Sequence, residues 1–396
     1  MMKYNSYRGR SNCGRAGRRG GAALLGLLLA APIARAAPCP EPTGRVLHGS
    51  GGSLFTADLK LIAIEGAKAA EPLTIFYADI GGECPGLEYF VNGSATTSYK
   101  YWSASGVEAT CDAPEVVPDF AIAHEELCPE VELDGIVSQP LFVTSQAIIT
   151  HKDSTQTSIS REALYFILGF GAEEGGVEPW TDPTAIFIRQ ENNFASRFLG
   201  TAIGVPSEAF QGNSNSSQVI SAIGALAASA DSTLSYVSTP AADAGGATVK
   251  TLAYQHTGQS CGYWPDSKSN TLDKANVRSG LYALWTQGRI HYRAEDDNPL
   301  VAELIAGVTG TGPGFEGVDT LQKTIESGDI PLCAMRVQRE GVFGALSSFA
   351  PETPCDCLFE VIATNKLPAY CEECSGDDDC SDRERPACNF GYCEAY

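Results

Sequence analysis

Short apolar runs along this chain repeatedly enter a glycine- or serine-containing turn and leave with helical spacing. In Arg45 to Lys60, RVLHGSGGSLFTADLK, an apolar run passes through a glycine-rich turn into a predicted helix. Leu73 to Ile80, LTIFYADI, predicts a second strand; the Gly81-Gly82 turn follows, and then a helix with Pro85 in its first turn and Leu87, Tyr89 and Phe90 beyond. Leu141 to Thr150, LFVTSQAIIT, reads as another strand, and Ser160 to Leu168 as a helix capped by Ser160 that buries Ala163, Leu164, Phe166 and Ile167. Ala185 to Arg189, AIFIR, predicts a short buried strand, followed by the polar loop Gln190 to Asn193 and an amphipathic helix over Phe194 to Ile203. Further on, the spacing predicts a helix over Val219 to Ala228, a strand over Leu234 to Ser238, a loop over 239–247 and a helix over Asp319 to Ser327 with Leu321 and Ile325 inward. Strands alternating with helices imply an α/β sheet protein.

The first 36 residues stand apart. Arg8, Arg10, Arg15, Arg18 and Arg19 form a basic segment, Ala22 to Ala31 an apolar one, and Ala34-Arg35-Ala36 a small-x-small cleavage site, the pattern of an export signal cut near Ala36 and Ala37. The apolar run is too short to span a bilayer, so the mature chain is expected to be soluble, in the periplasm or secreted. Seven of the 27 lysines and arginines lie in this segment, whereas all 48 carboxylates lie beyond it. A field that negative opposes nucleic acid and anionic membrane surfaces.

Of the 14 cysteines, 13 follow the export segment, and in an oxidising compartment disulfides are the expected state. Cys355, Cys357, Cys371, Cys374, Cys380, Cys388 and Cys393 crowd a tail poor in apolar residues, which needs crosslinks to be ordered. Zinc is the rival for Cys371-x-x-Cys374, but no histidine follows Cys355. The odd total implies one free or intermolecular thiol. Asp377 to Asp379 lack the glycine and final glutamate of a calcium loop and read as a solvated turn. No metal or cofactor is expected.

The glycine-rich turn is the first candidate for binding. A helix start there would present unpaired N–H groups, Gly49, Gly51 and Gly52 would admit a ligand close to backbone, and Ser50 and Ser53 would place hydroxyls near the cap. Arg189, ending a strand beside a polar loop, suits a carboxylate or phosphate, with a structural ion pair as the competing reading. Glu83 suits an amine, or is a solvated glutamate of the first helical turn. Trp180, Trp264 and Trp285 either line a cleft or fill core. The five histidines, His48 among them, are scattered, and no nucleophile elbow accompanies them.

The order of these segments resembles the phosphate-type solute-binding proteins that feed bacterial ABC importers, a two-lobed type II periplasmic binding fold. His48-Gly-Ser-Gly-Gly-Ser-Leu-Phe55 resembles that family's first loop, Tyr77-Ala-Asp-Ile-Gly-Gly-Glu-Cys-Pro-Gly86 its second, Ser103-Ala-Ser-Gly106 the short strand of its third, and Ile188-Arg-Gln-Glu-Asn-Asn-Phe-Ala-Ser-Arg197 its fourth. Gly280-Leu-Tyr-Ala-Leu-Trp285 is similar to the segment that crosses back to the first lobe. The resemblance spans roughly residues 45–335. It implies a solute site built from Gly52, Ser53, Gly82, Glu83, Ser105, Arg189, Asn193 and Ser196, and an importer permease as a partner.

The departures fall at the ligand. Glu83 or Gly82 replaces the family's second-loop serine, and Gly106 replaces its third-loop aspartate. Ser53 and Arg189 are retained. The expected ligand is therefore a small polar or anionic solute other than tightly held phosphate. Lobe 1 is expected over 44–118 and 286–350, lobe 2 over 119–285, and a Cys-rich tail over 351–396, with hinges near Pro118 and Tyr282 lying together. Two further readings are an envelope interaction protein that keeps the fold without small-molecule transport, and a hydrolase built on the first loop.

Overall fold

The computed structural model describes residues 37–395 apart from 43, 191, 192 and 213; the expected export segment lies outside the described residues. The first part of the chain forms strands β1 (Ala37–Pro38) and β2 (Arg45–Gly51), helix α1 (Thr56–Gly66), β3 (Leu73–Asp79), helix α2 (Glu83–Val91), β4 (Thr96–Trp102), β5 (Glu108–Val116) and β6 (Phe120–Ala123). These strands make one half of a mixed sheet in the order β1-β5-β4-β3-β2-β6. Strand β2 runs parallel to β3 and β6, while β4 and β5 form an antiparallel hairpin.

Strand β7 (Ile136–His151) is longer than its apolar run predicts. The second part of the chain adds β8 (Ser158–Ser160), α3 (Arg161–Phe170), α4 (Ala172–Gly175), α5 (Phe194–Ile203), α6 (Ser216–Gly224), β9 (Ser235–Ser238), α7 (Thr239–Ala244), β10 (Val249–Thr251), β11 (Ala253–Gln255) and α8 (Ala275–Arg278). Strand β12 (Trp285–Arg293) then runs antiparallel along most of β7, from Trp285 opposite Ser145 to Arg293 opposite Ile136. Helices α9 (Pro299–Thr309) and α10 (Thr320–Ser327), strand β13 (Ile330–Pro331) and helix α11 (Asp356–Thr364) complete the body.

The β7–β12 ribbon joins the two lobes. On one side Phe55, Leu59, Ile75, Phe120, Leu141, Phe142 and Leu304 share a core. On the other, Val143, Ile148, Leu164, Phe198, Tyr236, Tyr282 and Trp285 share a second. Each fully buried side chain of this size contributes about 1.5–3 kcal/mol, so each lobe has its own apolar reason to hold together. The rings of Phe55 and Phe142 stack at 4.8 Å and fix the start of α1 against the ribbon.

Strand pairing moves the expected hinges. Strand β6 pairs with β2 and β12, so the chain stays with the first sheet past residue 118. The Pro118 carbonyl accepts a hydrogen bond from Arg293, at the end of β12, whereas Tyr282 lies before its start and donates to the Gln146 carbonyl. The two are separated by the length of β12 rather than brought together. The C-terminal segment is also redistributed: Leu321, Ile325, Ile330, Cys333, Met335, Cys355 and Phe359 all join the second core. The tail is thus anchored in the body, and the Cys333–Cys355 disulfide ties it there.

Six disulfides join Cys39–Cys111, Cys84–Cys128, Cys333–Cys355, Cys357–Cys371, Cys374–Cys388 and Cys380–Cys393. Cys371 and Cys374 pair with different partners, which removes both as zinc ligands. Cys261, exposed, is the free thiol among the described residues.

Candidate functional site

Strand β2 ends where Gly51 takes a φ of 140°, and the chain leaves the ladder beside the first turn of α2. At Gly86 the approach is between backbones, a Cβ there standing 2.5 Å from Gly51 Cα, while a Cβ on Gly52 would stand 2.6 Å from the Glu83 side chain at Cγ and 3.0 Å from its backbone N. Only glycine permits that proximity. Tyr77 donates its hydroxyl to the Gly52 carbonyl at 2.8 Å, and Ser50 donates to the Gly86 carbonyl at 3.3 Å. The capping role expected of Ser50 and Ser53 is not realised. Helix α1 begins at Thr56 with Phe55 at its N-cap and no side-chain cap, because Ser50 is turned toward α2 and Ser53 is exposed.

Gly82 is the N-cap of α2, and Glu83 is its first residue. The Glu83 side chain is only 7% exposed. Its Oε2 accepts from the His124 backbone N–H at 3.1 Å and lies 2.8 Å from His124 Nδ1. Its Oε1 is buried with no partner. The His124 ring stacks on Phe194 at 4.1 Å, so this pair joins α2 to the start of α5.

Arg189 follows the short 3-10 turn Pro183–Ala185; the expected AIFIR strand is reduced to isolated bridges at Ile186 and Arg189. Its Nε donates to the Ser214 carbonyl at 3.1 Å and its Nη1 to Ser216 Oγ at 2.8 Å. Among the described residues no carboxylate forms an ion pair with it, and burial pushes the guanidinium below its ordinary pKa. A charge held by neutral groups keeps its demand for an anion. Asn193 caps α5, its Oδ1 accepting from the Ser196 N–H at 2.9 Å, while its Nδ2 is buried without a partner.

Gly52, Ser53, Gly82, Glu83, Arg189 and Asn193 all line one cavity of about 430 Å³ between the lobes. Two expected members do not. Ser105 sits in the β4–β5 turn bonded to Ser103; because Tyr101 pairs with Phe76 and Lys100 with Tyr77, that turn lies toward the beginning of β3, away from the end that meets the cleft. Ser196 is buried under the cleft, donating to the Gln190 carbonyl at 2.7 Å and lying 2.8 Å from the Tyr236 hydroxyl. The tryptophans stay out of the cavity, with Trp180 and Trp285 in the second core.

Thr144, Gln146 and Asp329, none of them among the expected residues, also line the cavity. Thr144 and Gln146 are two apart on β7, so alternation puts both on one face; that spacing of polar residues within an apolar run was the available signal. Gln146 Oε1 is buried without a partner. Asp329 stands beside Asp58 on α1, and Ser327 donates to Asp58 Oδ1 at 2.6 Å. Burial raises both carboxyls, Asp329 to about 7 and Asp58 well above the usual range, with the charge of Asp329 adding to the effect at Asp58. Two carboxyls packed in this way share a proton.

His48 does not line this cavity. Its ring stacks on Phe76 at 5.4 Å and its backbone N–H donates to Asp119.

No protein-family model matches the sequence, and no curated protein does. Among solved structures, the chain is similar to an ABC-type phosphate transport receptor from Vibrio cholerae, at 14% identity and a TM-score of 0.46, over 72% of this chain and 99% of that one. It is similar to PstS from Borrelia burgdorferi at 14% identity and a TM-score of 0.42, over 72% and 98% of the two chains. It is also similar to the reduced regulatory domain of OxyR from Pseudomonas aeruginosa, at 11% identity and a TM-score of 0.37, over 67% and 96%.

Proposed function

We propose that this protein is an exported solute-binding protein whose cleft takes a small solute with one anionic group and several hydrogen-bond donors. The observation that carries this reading is the set of unpaired buried atoms drawn from separate elements into one cavity: Glu83 Oε1, Gln146 Oε1 and Asn193 Nδ2. A buried polar atom without a partner costs about 1–3 kcal/mol, so a ligand that satisfies all three recovers several such penalties at once. Two of the atoms accept and want hydroxyl or ammonium donors. Asn193 Nδ2 donates and, with Arg189, wants a carboxylate or similar group.

Phosphate fits this set poorly. Phosphate brings negative charge toward Glu83 with nothing to offset it, and like charges about 5 Å apart repel by about 3 kcal/mol at an effective dielectric constant near 20, whereas a ligand ammonium beside Glu83 turns that term into attraction while the carboxylate sits at Arg189. Export is supported by the basic and apolar pattern of residues 1–36 and by the six disulfides, which belong to an oxidising compartment.

Native mass spectrometry of the protein taken from its source tests the reading. The wild-type chain should carry a small polar adduct that denaturation releases and Arg189→Ala lacks. Wild type and variant with identical spectra would overturn it.

A further inference from the structure

A second cavity, of about 330 Å³, opens elsewhere on the ribbon and is lined in part by Trp285, Gln287, Arg289, Arg339 and Gly341. On β12 Trp285, Gln287 and Arg289 alternate to one face. Trp285 pairs with Ser145 and Gln287 with Val143, so this face of the ribbon is opposite the one that carries Thr144 and Gln146 into the cleft. His124 belongs to this second cavity, while its partner Glu83 belongs to the first.

The second cavity has donors without acceptors. Trp285 is fully buried, and its Nε1–H has no partner. The Arg339 guanidinium lies 4.1 Å over the Trp285 ring, its Nη1 donating to the carbonyls of Ala283, Trp285 and Val342, while its buried Nε–H is also unpartnered. Among the described residues Arg339 forms no ion pair, although the chain holds 48 carboxylates, and burial pushes it down to about 10. A half-buried guanidinium with a buried, unpartnered Nε–H and no counter-charge is open to an anion from outside.

The carboxylates around the cavity narrow the choice of anion. Glu125 is committed to Arg289, His291 and Ser138, and Glu126 accepts from the Val342 N–H; Glu340 is exposed. Glu125 is already offset by Arg289, and what negative charge remains opposes a dianion about twice as strongly as a monoanion, so a single negative charge is the better match for Arg339.

We propose that this cavity is a second ligand site, distinct from the cleft, that binds the carboxylate of a small organic acid through Arg339 and the Trp285 indole N–H. A planar carboxylate suits a guanidinium and an adjacent N–H donor.

Calorimetric titration of the full chain with acetate and with sulfate tests this, using wild type, Trp285→Phe, Arg339→Gln and Arg189→Ala. Trp285→Phe keeps the ring and deletes the donor. Acetate should bind wild type saturably and in preference to sulfate, with affinity lower by roughly tenfold in Trp285→Phe, as for one lost hydrogen bond to a charged group. It should fall further in Arg339→Gln and stay unchanged in Arg189→Ala. Absence of saturable acetate binding, equal affinity in Trp285→Phe and Arg339→Gln, or a loss in Arg189→Ala would each overturn the proposal; only the last would place the anion in the cleft.

Discussion

Glu83 is held by His124 through one carboxylate oxygen alone, Oε2 lying 2.8 Å from the imidazole Nδ1, so the other oxygen remains buried and unpaired at the cleft. The pair orients the carboxylate and simultaneously ties the second loop to the α5 start through the ring stacking on Phe194.

His124→Ala should therefore cost more than a surface substitution. It leaves Glu83 buried with neither oxygen bonded to a side chain and removes a stacked ring, for about 3 kcal/mol or more. Urea denaturation checks this, and Glu83→Gln, which keeps an acceptor for the His124 backbone N–H, should cost less. Equal and small losses in both variants would contradict the pairing as a structural element.

The acid pair Asp58 and Asp329 should make stability fall as pH rises. Both folded-state pKa values lie above those of the unfolded chain, so between about pH 4 and pH 7 the folded state retains a proton that the unfolded state releases. The contribution is fully present below that window and lost through it. Asp329→Asn should stabilise the protein at pH 8 by on the order of a few kcal/mol and change little at pH 4. Urea melts at the two pH values check the sign; a variant effect independent of pH would contradict it.

Much of the fold is legible in the sequence because local signals and tertiary packing agree. Ser160 accepts from the Ala163 N–H at 3.1 Å and starts α3, as its position before an apolar helical pattern predicts. Phe194–Ile203 is helical over the expected span. Disagreement arises where long-range pairing decides. Ser103 to Gly106 is a turn because β4 and β5 close on each other, and 239–247 contains helix α7, begun by Pro240 in its first turn, where composition alone suggests a loop. At the cleft, loop glycines and Arg189 are visible in sequence as local features. Gln146 leaves only the weak trace of two polar residues spaced two apart within the β7 run, and Asp329 leaves none, since it acquires meaning only when β13 is laid along β7 and Asp329 meets Asp58 of α1.

Thiol chemistry should separate Cys261 from every other described cysteine. Alkylation of the folded protein without reductant should label Cys261 and leave the other twelve described cysteines in their six disulfides. Replacing Cys333 and Cys355 with serine should remove about 3 kcal/mol, the loop-closure term for a span of 22 residues, and loosen the tail first. Peptide mapping and limited proteolysis read both outcomes; labelling spread over several tail cysteines would contradict the connectivity.

The central claim is that the cleft selects a donor-rich solute with one anionic group over phosphate. Its most direct test is calorimetric titration of the full chain with inorganic phosphate and, in parallel, with 2-amino-2-deoxygluconate, which carries an ammonium, hydroxyls and one carboxylate. Phosphate should show no tight binding, whereas the amino acid sugar should bind with an affinity that Arg189→Ala lowers by roughly a hundredfold, the scale of a lost charge-assisted pair. Sub-micromolar phosphate affinity that disappears on Ser53→Ala would contradict the account.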